Sequence, residues 1–327
     1  MEEKIRLIIQ VPCFNEEETL PVTLQALPRE LEGIDRVEWL IIDDGSIDGT
    51  VKVAEEYGVD HIVRHTRNQG LAKAFMTGIE ACLKAGAHII VNTDADNQYD
   101  ARDIPKLVAP ILNKKADIVI GARPIEDIEH FSPIKKMLQR LGSKVVRVAS
   151  RTNVDDAPSG FRAFSRDAAM QLNVFSEYTY TLETIIQAGQ KDIPTLSVPI
   201  RTNGDLRPSR LVKSIPTYVR RSLQTIIRIF MTYRPFRLFA FLGALPFTIG
   251  VALGVRWVVL YMFVDPTRVR APSLILAAIL ILLGTQLWIC GLVADLLGVN
   301  RKLLEDIQVR LRRVELDSKP SGSIDDE

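Results

Sequence analysis

Two long stretches near the end of the chain carry no charge, and they restrict the fold more than any other feature. They run from Leu238 to Val255, continued by Trp257–Val264 after the single Arg256, and from Ala271 to Ala294. Each is long enough to cross about 30 Å of hydrocarbon as a helix. A pair of buried core helices is the alternative, but two such runs joined by DPTRVR favour a membrane hairpin. The sequence therefore predicts two transmembrane helices, at about 238–264 and 272–296.

Basic residues flank this hairpin at both outer ends. They are Arg220, Arg221, Arg228, Arg234 and Arg237 before it, and Arg301, Lys302, Arg310, Arg312 and Arg313 after it. The connection holds only Arg268 and Arg270, beside Asp265. Because cytoplasmic flanks are enriched in Lys and Arg, we expect a multi-pass protein of the plasma membrane with its N-terminal domain in the cytoplasm. Small residues would allow close helix contacts, including those of a homo-oligomer; they are Gly243, Gly250, Gly254, Gly284 and Gly291.

From Ile5 to about residue 200, short apolar runs alternate with amphipathic segments. The apolar runs are RLIIQVP, EWLIIDD, HIVRH, HIIVNTD and DIVIGAR. Since parallel strands must be joined by crossovers, this alternation predicts an α/β fold with a Rossmann-like, mostly parallel sheet flanked by helices. The N-terminal MEEKIRLIIQVP is interpreted as the first strand and not as a signal peptide.

The predicted organisation has four parts. An α/β domain covers residues 1–205, amphipathic juxtamembrane helices cover 206–236, the hairpin covers 237–297, and a C-terminal helix with a disordered tail covers 298–327. Residues 201–237 hold nine Lys or Arg against one acid, Asp205, which is typical of a helix lying among lipid headgroups. A solvated helix packed on its own domain is the alternative.

The overall charge argues against a nucleic-acid partner. Lys and Arg number 41 against 40 Asp and Glu, a formal net charge of +1, so the chain is no polycation. Three cysteines, Cys13, Cys82 and Cys290, lie far apart without ligand spacing. Buried free thiols in a reducing compartment are the simplest interpretation.

Four polar segments follow predicted strands directly. They are Pro12–Glu16, Asp43–Gly49, Asp94–Gln98 and Arg123. Ligands of open α/β sheets bind beyond the carboxyl ends of the strands, so we expect these segments to share one edge and form one site.

The segment IIDDGSIDGT matches the spacing of a calcium-binding loop at several positions. An EF-hand needs a helix before its loop, however, and EWLIID is a strand. The better interpretation is a strand-to-helix turn in which Asp43 and Asp44 accept hydrogen bonds from a base or ribose. Asp48 would cap the next helix.

The stretch VNTDADNQYD places Asp94, Asp96, Gln98 and Asp100 on one turn after a buried strand. Like charges this close raise the cost of ionisation, and a cation would remove that cost. Hard oxygen ligands suit Mg²⁺ or Mn²⁺, which usually also takes substrate phosphate oxygens, so we expect Asp94, Asp96 and Gln98 to hold the metal. A solvated acidic turn is the alternative. The sequence has neither a GxxxxGK[ST] loop nor a G-x-G-x-x-G turn after its first strand. These absences argue against a P-loop nucleotidase and against the usual dinucleotide-binding site.

The ordered motifs QVPCFNEEETL, IDDGSIDGT, RNQGLAKAFMTGIEAC, NTDADNQYD, IGARP and APSGFRAFSRDA resemble inverting family 2 glycosyltransferases. The resemblance covers residues 5 to about 297 and is strongest to the branch similar to dolichyl-phosphate mannose synthase and bacterial polyprenyl-phosphate glycosyltransferases. It implies a GT-A-type fold, a UDP- or GDP-sugar donor, a polyprenyl (undecaprenyl or dolichyl) phosphate acceptor and a metal-dependent hexosyltransferase.

The resemblance also implies roles at matching positions. The nucleotide would be held by Pro12, Phe14, Glu16, Asp43, Asp44 and Asp94, and the metal on the diphosphate by Asp94, Asp96 and Gln98. Arg123 would reach the phosphates of donor or acceptor. The acceptor side would include Ser159, Gly160, Arg162, Arg201 and Arg210, and Lys135 matches a family Arg loosely.

A phosphate acceptor is already an anion at neutral pH, since its second pKa is about 6 by analogy with phosphorylated side chains. It needs no strong general base, so arginines are expected where a carboxylate would otherwise act. Asp156 and Glu183 stay open as bases or as residues that orient the arginines, and Glu183 could equally be a helix-surface acid. With Asp96 and Arg123 they complete the predicted catalytic set.

Three other functions stay open from the sequence. A processive polysaccharide synthase of the same family is disfavoured because no Q-x-x-R-W run occurs and two spans make a poor channel. A non-catalytic sugar-nucleotide-binding scaffold is disfavoured by the intact acid turn. A sugar nucleotidyltransferase would need a glycine-rich opening loop.

Overall fold

The computed structural model describes residues 4–124, 147, 152, 154–174, 180–204, 224, 231, 235–263 and 271–318. Its strands are β1 (Arg6–Cys13), β2 (Arg36–Asp43), β3 (His61–Arg64), β4 (Ile89–Asn92), β5 (Ile118–Ala122), β6 (Arg162–Ser165) and β7 (Thr195–Pro199). Its helices are α1 (Leu20–Ala26), α2 (Thr50–Glu56), α3 (Leu71–Lys84), α4 (Ile104–Leu112), α5 (Arg166–Gln171), α6 (Thr181–Gln190), α7 (Pro235–Phe263) and α8 (Ala271–Ser318), and a 3₁₀ turn spans Ala101–Asp103.

The strands form one sheet in the order β3-β2-β1-β4-β6-β5-β7. Neighbouring pairs are parallel except β6, which runs antiparallel to both β4 and β5. The predicted α/β fold with a mostly parallel sheet is confirmed. Because β6 is antiparallel to both β4 and β5, those two strands run in the same direction. Their carboxyl ends therefore lie at the same edge of the sheet as those of β1 and β2.

Helices cover both faces of the sheet, which explains why its strands are continuous apolar runs. In β1 every residue from Leu7 to Cys13 is buried. Helix α3 approaches the sheet closely at Gly78, where an added methyl group would collide with Gln10 Oε1 and lie 2.7 Å from Ile42 Cδ1. A residue larger than glycine would therefore push α3 off the central strands.

The described chain separates into two units. The first contains the sheet, its helices and the turns of α8 from Glu305 onward, and the second contains α7 and α8 as far as Leu304. The sequence predicted a helix ending near 296 and a separate one after 298, whereas α8 is a single helix of 48 residues. Its interior lacks proline, and a lone Gly298 costs a helix only about 1 kcal/mol.

Helices α7 and α8 are long and apolar enough to cross a membrane, as predicted. Only 11% of the most apolar stretch of α7 and 17% of that of α8 are buried, whereas core helices of a soluble protein would be mostly buried. Within this unit the two helices touch at glycines: an added methyl at Gly243 or Gly284 would lie 2.8 Å from the other residue's carbonyl oxygen. Gly250 and Gly291 make similar contacts with α8 and α7, so these small residues pack the hairpin itself.

Several predictions fall on parts of the chain outside the described residues. They concern most of the juxtamembrane segment 206–236, the tail after Ser318, and the predicted acceptor residues Lys135 and Arg210.

Candidate functional site

The polar segments that follow β1, β2, β4 and β5 lie along one edge of the sheet. In the register of the central strands, Cys13 is opposite Asp43, and Gln10 is opposite Asn92. The chain therefore leaves β1, β2 and β4 at neighbouring positions, and Arg123 follows the end of β5 at the same edge. The fold brings the predicted segments together.

The turns after β1 and β2 are joined by reciprocal hydrogen bonds. The backbone N–H of Asn15 donates to Ser46 Oγ, and that of Ile47 donates to Asn15 Oδ1, both at 2.9 Å. Asn15 adopts a left-handed φ of 54°, a conformation that asparagine tolerates better than most residues. Beside this joint Phe14 is exposed, whereas Pro12 and Glu16 are buried. Of these three predicted nucleotide-binding residues, Phe14 offers the most accessible surface.

Asp43 and Asp44, predicted as a nucleoside-binding pair, have different surroundings. Asp44 accepts three hydrogen bonds: from His65 Nδ1 at 2.7 Å, and from the backbone N–H groups of Gln69 and Gly70 at 2.8 Å. These bonds hold the RNQG loop against β2, so Asp44 organises the edge through that loop. The sequence did not identify His65 as its partner.

Asp43 is less completely satisfied. Its Oδ1 accepts from the backbone N–H of Ser46 at 2.9 Å. Its Oδ2 is buried, lies 3.1 Å from Arg64 Nε, and has no well-aligned hydrogen bond from the described residues. Of the two carboxylates, Asp43 is therefore the one with an oxygen that lacks a hydrogen bond from the described residues.

The acid turn after β4 is partly exposed and is hydrogen-bonded to the segment that follows β7. Asp94, Asp96 and Gln98 are half-buried, and Asp96 Oδ1 accepts from the backbone N–H of Gln98 at 3.2 Å. The side chain of Asn203 donates to Asn97 O, and its backbone N–H to Gln98 O, both at 2.9 Å. The turn is thereby tied to the segment that follows β7.

Asp100, at the end of this turn, is buried and already paired. Its Oδ2 accepts from Arg102 Nη2 at 2.7 Å, and Arg201 Nε lies 3.5 Å away. The hydrogen bond from the Arg102 guanidinium is the main reason that the pKa of Asp100 lies below its ordinary value. Arg201 itself binds Asp103, with Nη2 at 2.7 Å from Oδ1, and its side chain is 52% exposed.

Arg123 and Asp156 form a buried ion pair beside the acid turn. Arg123 Nε donates to Asp156 Oδ2 at 2.7 Å, and Nη2 donates to Oδ1 at 3.1 Å. Burial acts to lower the pKa of Arg123, but its interactions with Tyr99, Asp156 and Asp94 outweigh that effect and raise the pKa above its ordinary value. Asp156 therefore fixes the direction of the Arg123 guanidinium, and its role in the reaction stays a prediction.

The resemblance implied that Arg162 lines the acceptor side, but the structure buries this side chain. It is fully buried, and its guanidinium donates to the carbonyl oxygens of Ser159, Thr181 and Ala157 at 2.7–2.8 Å and to Thr184 Oγ1 at 2.6 Å. Burial lowers its pKa to about 10. The side chain clamps the APSG segment to α6 and has no surface to offer an acceptor.

The remaining predicted residues lie nearby. Ser159 is buried, and its hydroxyl has no hydrogen-bond partner in the described part of the chain. Glu183 lies half-buried in the first turn of α6, between the two threonines that bind Arg162.

Three further side chains at this edge were not predicted. Asn92, Tyr99 and Tyr180 hydrogen-bond to the backbone of Gly160 or to one another. Asn92 and Tyr99 lie in the VNTDADNQYD stretch itself, but Tyr180 is 88 residues from Asn92.

The residues of the acid turn fit a divalent cation that also binds a substrate. Among the described residues, no three His, Cys, Asp or Glu side chains form a complete metal site. Two carboxylates and one amide oxygen leave positions for phosphate oxygens, as Mg²⁺ sites commonly do. Gly160 leaves room for the Asp94 carboxylate, since an added methyl group would lie 3.1 Å and 3.2 Å from its two oxygens.

Comparison with known proteins agrees with this geometry. Residues 8–172 match the model of the family described as "Glycosyl transferase family 2". The chain is 30% identical over 227 residues to UDP-N-acetylglucosamine–dolichyl-phosphate N-acetylglucosaminyltransferase of Methanococcus voltae, covering 62% of this chain and 87% of that protein. It is 29% identical over 177 residues to undecaprenyl-phosphate mannosyltransferase of Micrococcus luteus, covering 52% and 70%.

A solved structure shares the fold. Glucosyl-3-phosphoglycerate synthase from Mycobacterium tuberculosis, in complex with Mn²⁺, UDP and glucosyl-3-phosphoglycerate, aligns with a TM-score of 0.53 and 19% identity. The alignment covers 70% of this chain and 80% of that one.

Proposed function

This chain belongs to glycosyl transferase family 2, and we propose that it transfers one sugar from a nucleotide-diphosphate sugar to a polyprenyl phosphate at the cytoplasmic face of the plasma membrane. The observation that carries the proposal is the Arg123–Asp156 pair beside the acid turn. The carboxylate at this position is engaged with a guanidinium, so the site offers a fixed cation in place of a free base. A phosphate acceptor needs such a cation and needs no base.

The donor would lie along the edge formed by β1, β2 and β4. The exposed ring of Phe14 and the buried Oδ2 of Asp43 are the groups proposed to meet the nucleoside. Asp44 would act indirectly, by holding the RNQG loop through its three hydrogen bonds. The acid turn would face the diphosphate, which is supported by the position of β4 next to β1 in the sheet.

Asp94, Asp96 and Gln98 would hold Mg²⁺ or Mn²⁺ against the diphosphate. When bound, the cation neutralises charge that develops on the departing nucleotide. The protein contributes by fixing the turn through Asn203 and by leaving space at Gly160. Attack from the side opposite the leaving group would invert the anomeric centre.

The acceptor phosphate is proposed to meet Arg123, with Arg201, Lys135 and Arg210 as further cations for it. The exposed half of Arg201 keeps it available although it binds Asp103. Helices α7 and α8 support a lipid acceptor, because they are long enough to cross the bilayer that holds it. The two relatives named for dolichyl-phosphate and undecaprenyl-phosphate transfer give the same support.

The proposal is tested by supplying membranes that contain the protein with radiolabelled UDP- and GDP-sugars, undecaprenyl or dolichyl phosphate, and Mg²⁺ or Mn²⁺. We expect one donor to label a lipid whose product carries a single sugar. Label found in a growing polymer, or in no lipid with any donor, would contradict the proposal.

A further inference from the structure

A cluster of buried polar groups surrounds Gly160 on the side of the sheet edge where Asp94 lies. We call it the Gly160 frame; it consists of Asn92, Tyr99, Gly160 and Tyr180. Asn92 Nδ2 donates to Gly160 O and to Tyr180 Oη, both at 2.9 Å. The backbone N–H of Gly160 donates to Tyr99 Oη at 2.9 Å. Both polar groups of the glycine backbone are therefore held by side chains.

The frame is itself rigidly supported. Asn92 ends β4 and accepts from Gln10 Nε2 at 2.9 Å through its Oδ1, so its amide orientation is fixed from the middle of the sheet. The ring of Tyr180 stacks on Phe75 with centroids 3.9 Å apart, and the ring of Tyr99 stacks on Phe161 at 5.1 Å. Each member of the frame is thus anchored in the core.

The open face of the frame meets the Asp94 carboxylate. A methyl group built on Gly160 would lie 3.1 Å and 3.2 Å from the two Asp94 oxygens and 2.9 Å from Tyr180 Oη. The carboxylate and the tyrosine hydroxyl therefore share the space above one glycine. The backbone of Gly160 is not in the left-handed region, so this packing, and not a need for positive φ, explains why glycine suits the position.

We infer that Asn92, Tyr99 and Tyr180 are positioning residues that fix Gly160 as a seat for the Asp94 carboxylate, and so set the geometry with which that carboxylate holds a divalent cation. The inference rests on the proposed function for the presence of the cation. Groups that orient the ligands of a metal usually change its affinity by about 10- to 100-fold when they are altered.

Burial of the two tyrosines agrees with this role. Tyr99 is 4% exposed and Tyr180 is 1% exposed, so their hydroxyls are held among groups of the protein and away from solvent.

Two variants test the inference. Gly160→Ala places a methyl group against Asp94 without straining the backbone, and Tyr180→Phe removes one hydroxyl from the frame while preserving the ring stack on Phe75. Their controls are Gly298→Ala, where the added methyl meets no described atom within 4 Å, and Tyr57→Phe, whose hydroxyl accepts an exposed hydrogen bond from Gln25.

Mn²⁺ binding to the full-length protein in nanodiscs, with saturating UDP, is measured by the electron paramagnetic resonance signal of free Mn²⁺. We expect Gly160→Ala to weaken Mn²⁺ binding by about 10-fold or more and Tyr180→Phe to weaken it by a smaller factor, with both controls unchanged. In turnover, the KM for Mn²⁺ should rise more than kcat falls. If Gly160→Ala does not fold, Tyr180→Phe alone decides.

The inference is overturned if the folded variants bind Mn²⁺ like the wild type, even when the wild type glycosylates lipid as proposed. Conversely, a wild type that binds Mn²⁺ with UDP but labels no polyprenyl phosphate contradicts the proposed function and leaves the frame intact. A wild type that does not bind Mn²⁺ at all overturns the inference as well.

Discussion

Arg123 and Asp156 bind each other through two hydrogen bonds, and both side chains are almost completely buried, at 9% and 1% exposure. The two residues lie 33 positions apart in the sequence. The pair ties the end of β5 to the segment that leads into β6. Its planar geometry fixes the direction of the guanidinium, which is the property that recognition of a phosphate requires.

Replacing Asp156 by Ala should damage both stability and acceptor use. Removing one partner of a buried ion pair costs about 3–5 kcal/mol, because the other charge is left uncompensated. We expect the free energy of unfolding to fall by about that amount, and the KM for polyprenyl phosphate to rise more than the KM for the donor. Asp155→Ala is the matched control, since the Asp155 side chain is 65% exposed; equal effects of the two changes would refute this role.

Arg162→Lys should lower stability without a specific effect on the acceptor. The guanidinium makes four hydrogen bonds to groups of the protein, and a lysine ammonium has only three donors. We expect a loss of about 1–3 kcal/mol in the free energy of unfolding, measured by denaturant titration, with an unchanged acceptor KM in the folded protein. Full stability combined with a raised acceptor KM would instead place Arg162 at the lipid phosphate.

The Asp103–Arg201 pair should make stability depend on pH in acid. Burial acts to raise the pKa of Asp103, but hydrogen bonds from Arg201, together with Lys106, lower it to about 2. Because the folded value lies below the ordinary one, the pair stabilises the protein above about pH 4 and loses this effect as the pH falls towards about 2.

Asp103→Asn should therefore cost about 1 kcal/mol at pH 7, after allowance for screening at the half-exposed Arg201. The difference from the wild type should shrink between about pH 4 and pH 2. Denaturant unfolding across this range measures it, with Asp167→Asn as an exposed control. A difference that grows in acid would have the wrong sign for this account.

Arg312 should stabilise the first unit, whereas Arg310, two residues earlier, should not. Arg312 donates to the carbonyl oxygens of Met170 and Leu172 at 3.2 Å and 2.8 Å and binds Glu80 at 3.1 Å. It satisfies carbonyl groups at the end of α5, where a helix lacks internal donors. Among the residues that the structure describes, Arg310 pairs with Asp306 alone, one turn away on an exposed face.

We expect Arg312→Ala to lower the free energy of unfolding by about 1.5–3 kcal/mol, and Arg310→Ala by less than about 0.5 kcal/mol. Unfolding of the full-length protein in detergent compares them. Equal losses would mean that the last turns of α8 do not depend on these contacts.

Periodicity was enough to predict strands β1 to β5 and their shared edge, because strands and crossover helices leave different apolar patterns. It missed β6 and β7, whose short runs RAFS and TLSVP are too brief to show a pattern. From their residue types, Asp44 and Arg162 were predicted to bind substrate. In the structure Asp44 binds His65, and Arg162 binds the carbonyl oxygens around Ser159. The sequence could not predict these partners, because tertiary contacts set them. The same limit hid Tyr180, which reaches Asn92 only through the fold.

The most direct test of the central claim uses purified protein in nanodiscs that contain polyprenyl phosphate, with the radiolabelled donor that the membrane assay identifies. We compare wild type with Asp96→Ala, each with added Mn²⁺ or with a chelator. The account predicts labelled polyprenyl-phosphate sugar from the wild type with Mn²⁺, and a loss of most transfer in the variant and in the chelated wild type. Undiminished lipid labelling by Asp96→Ala, or by the wild type without a divalent cation, would contradict it.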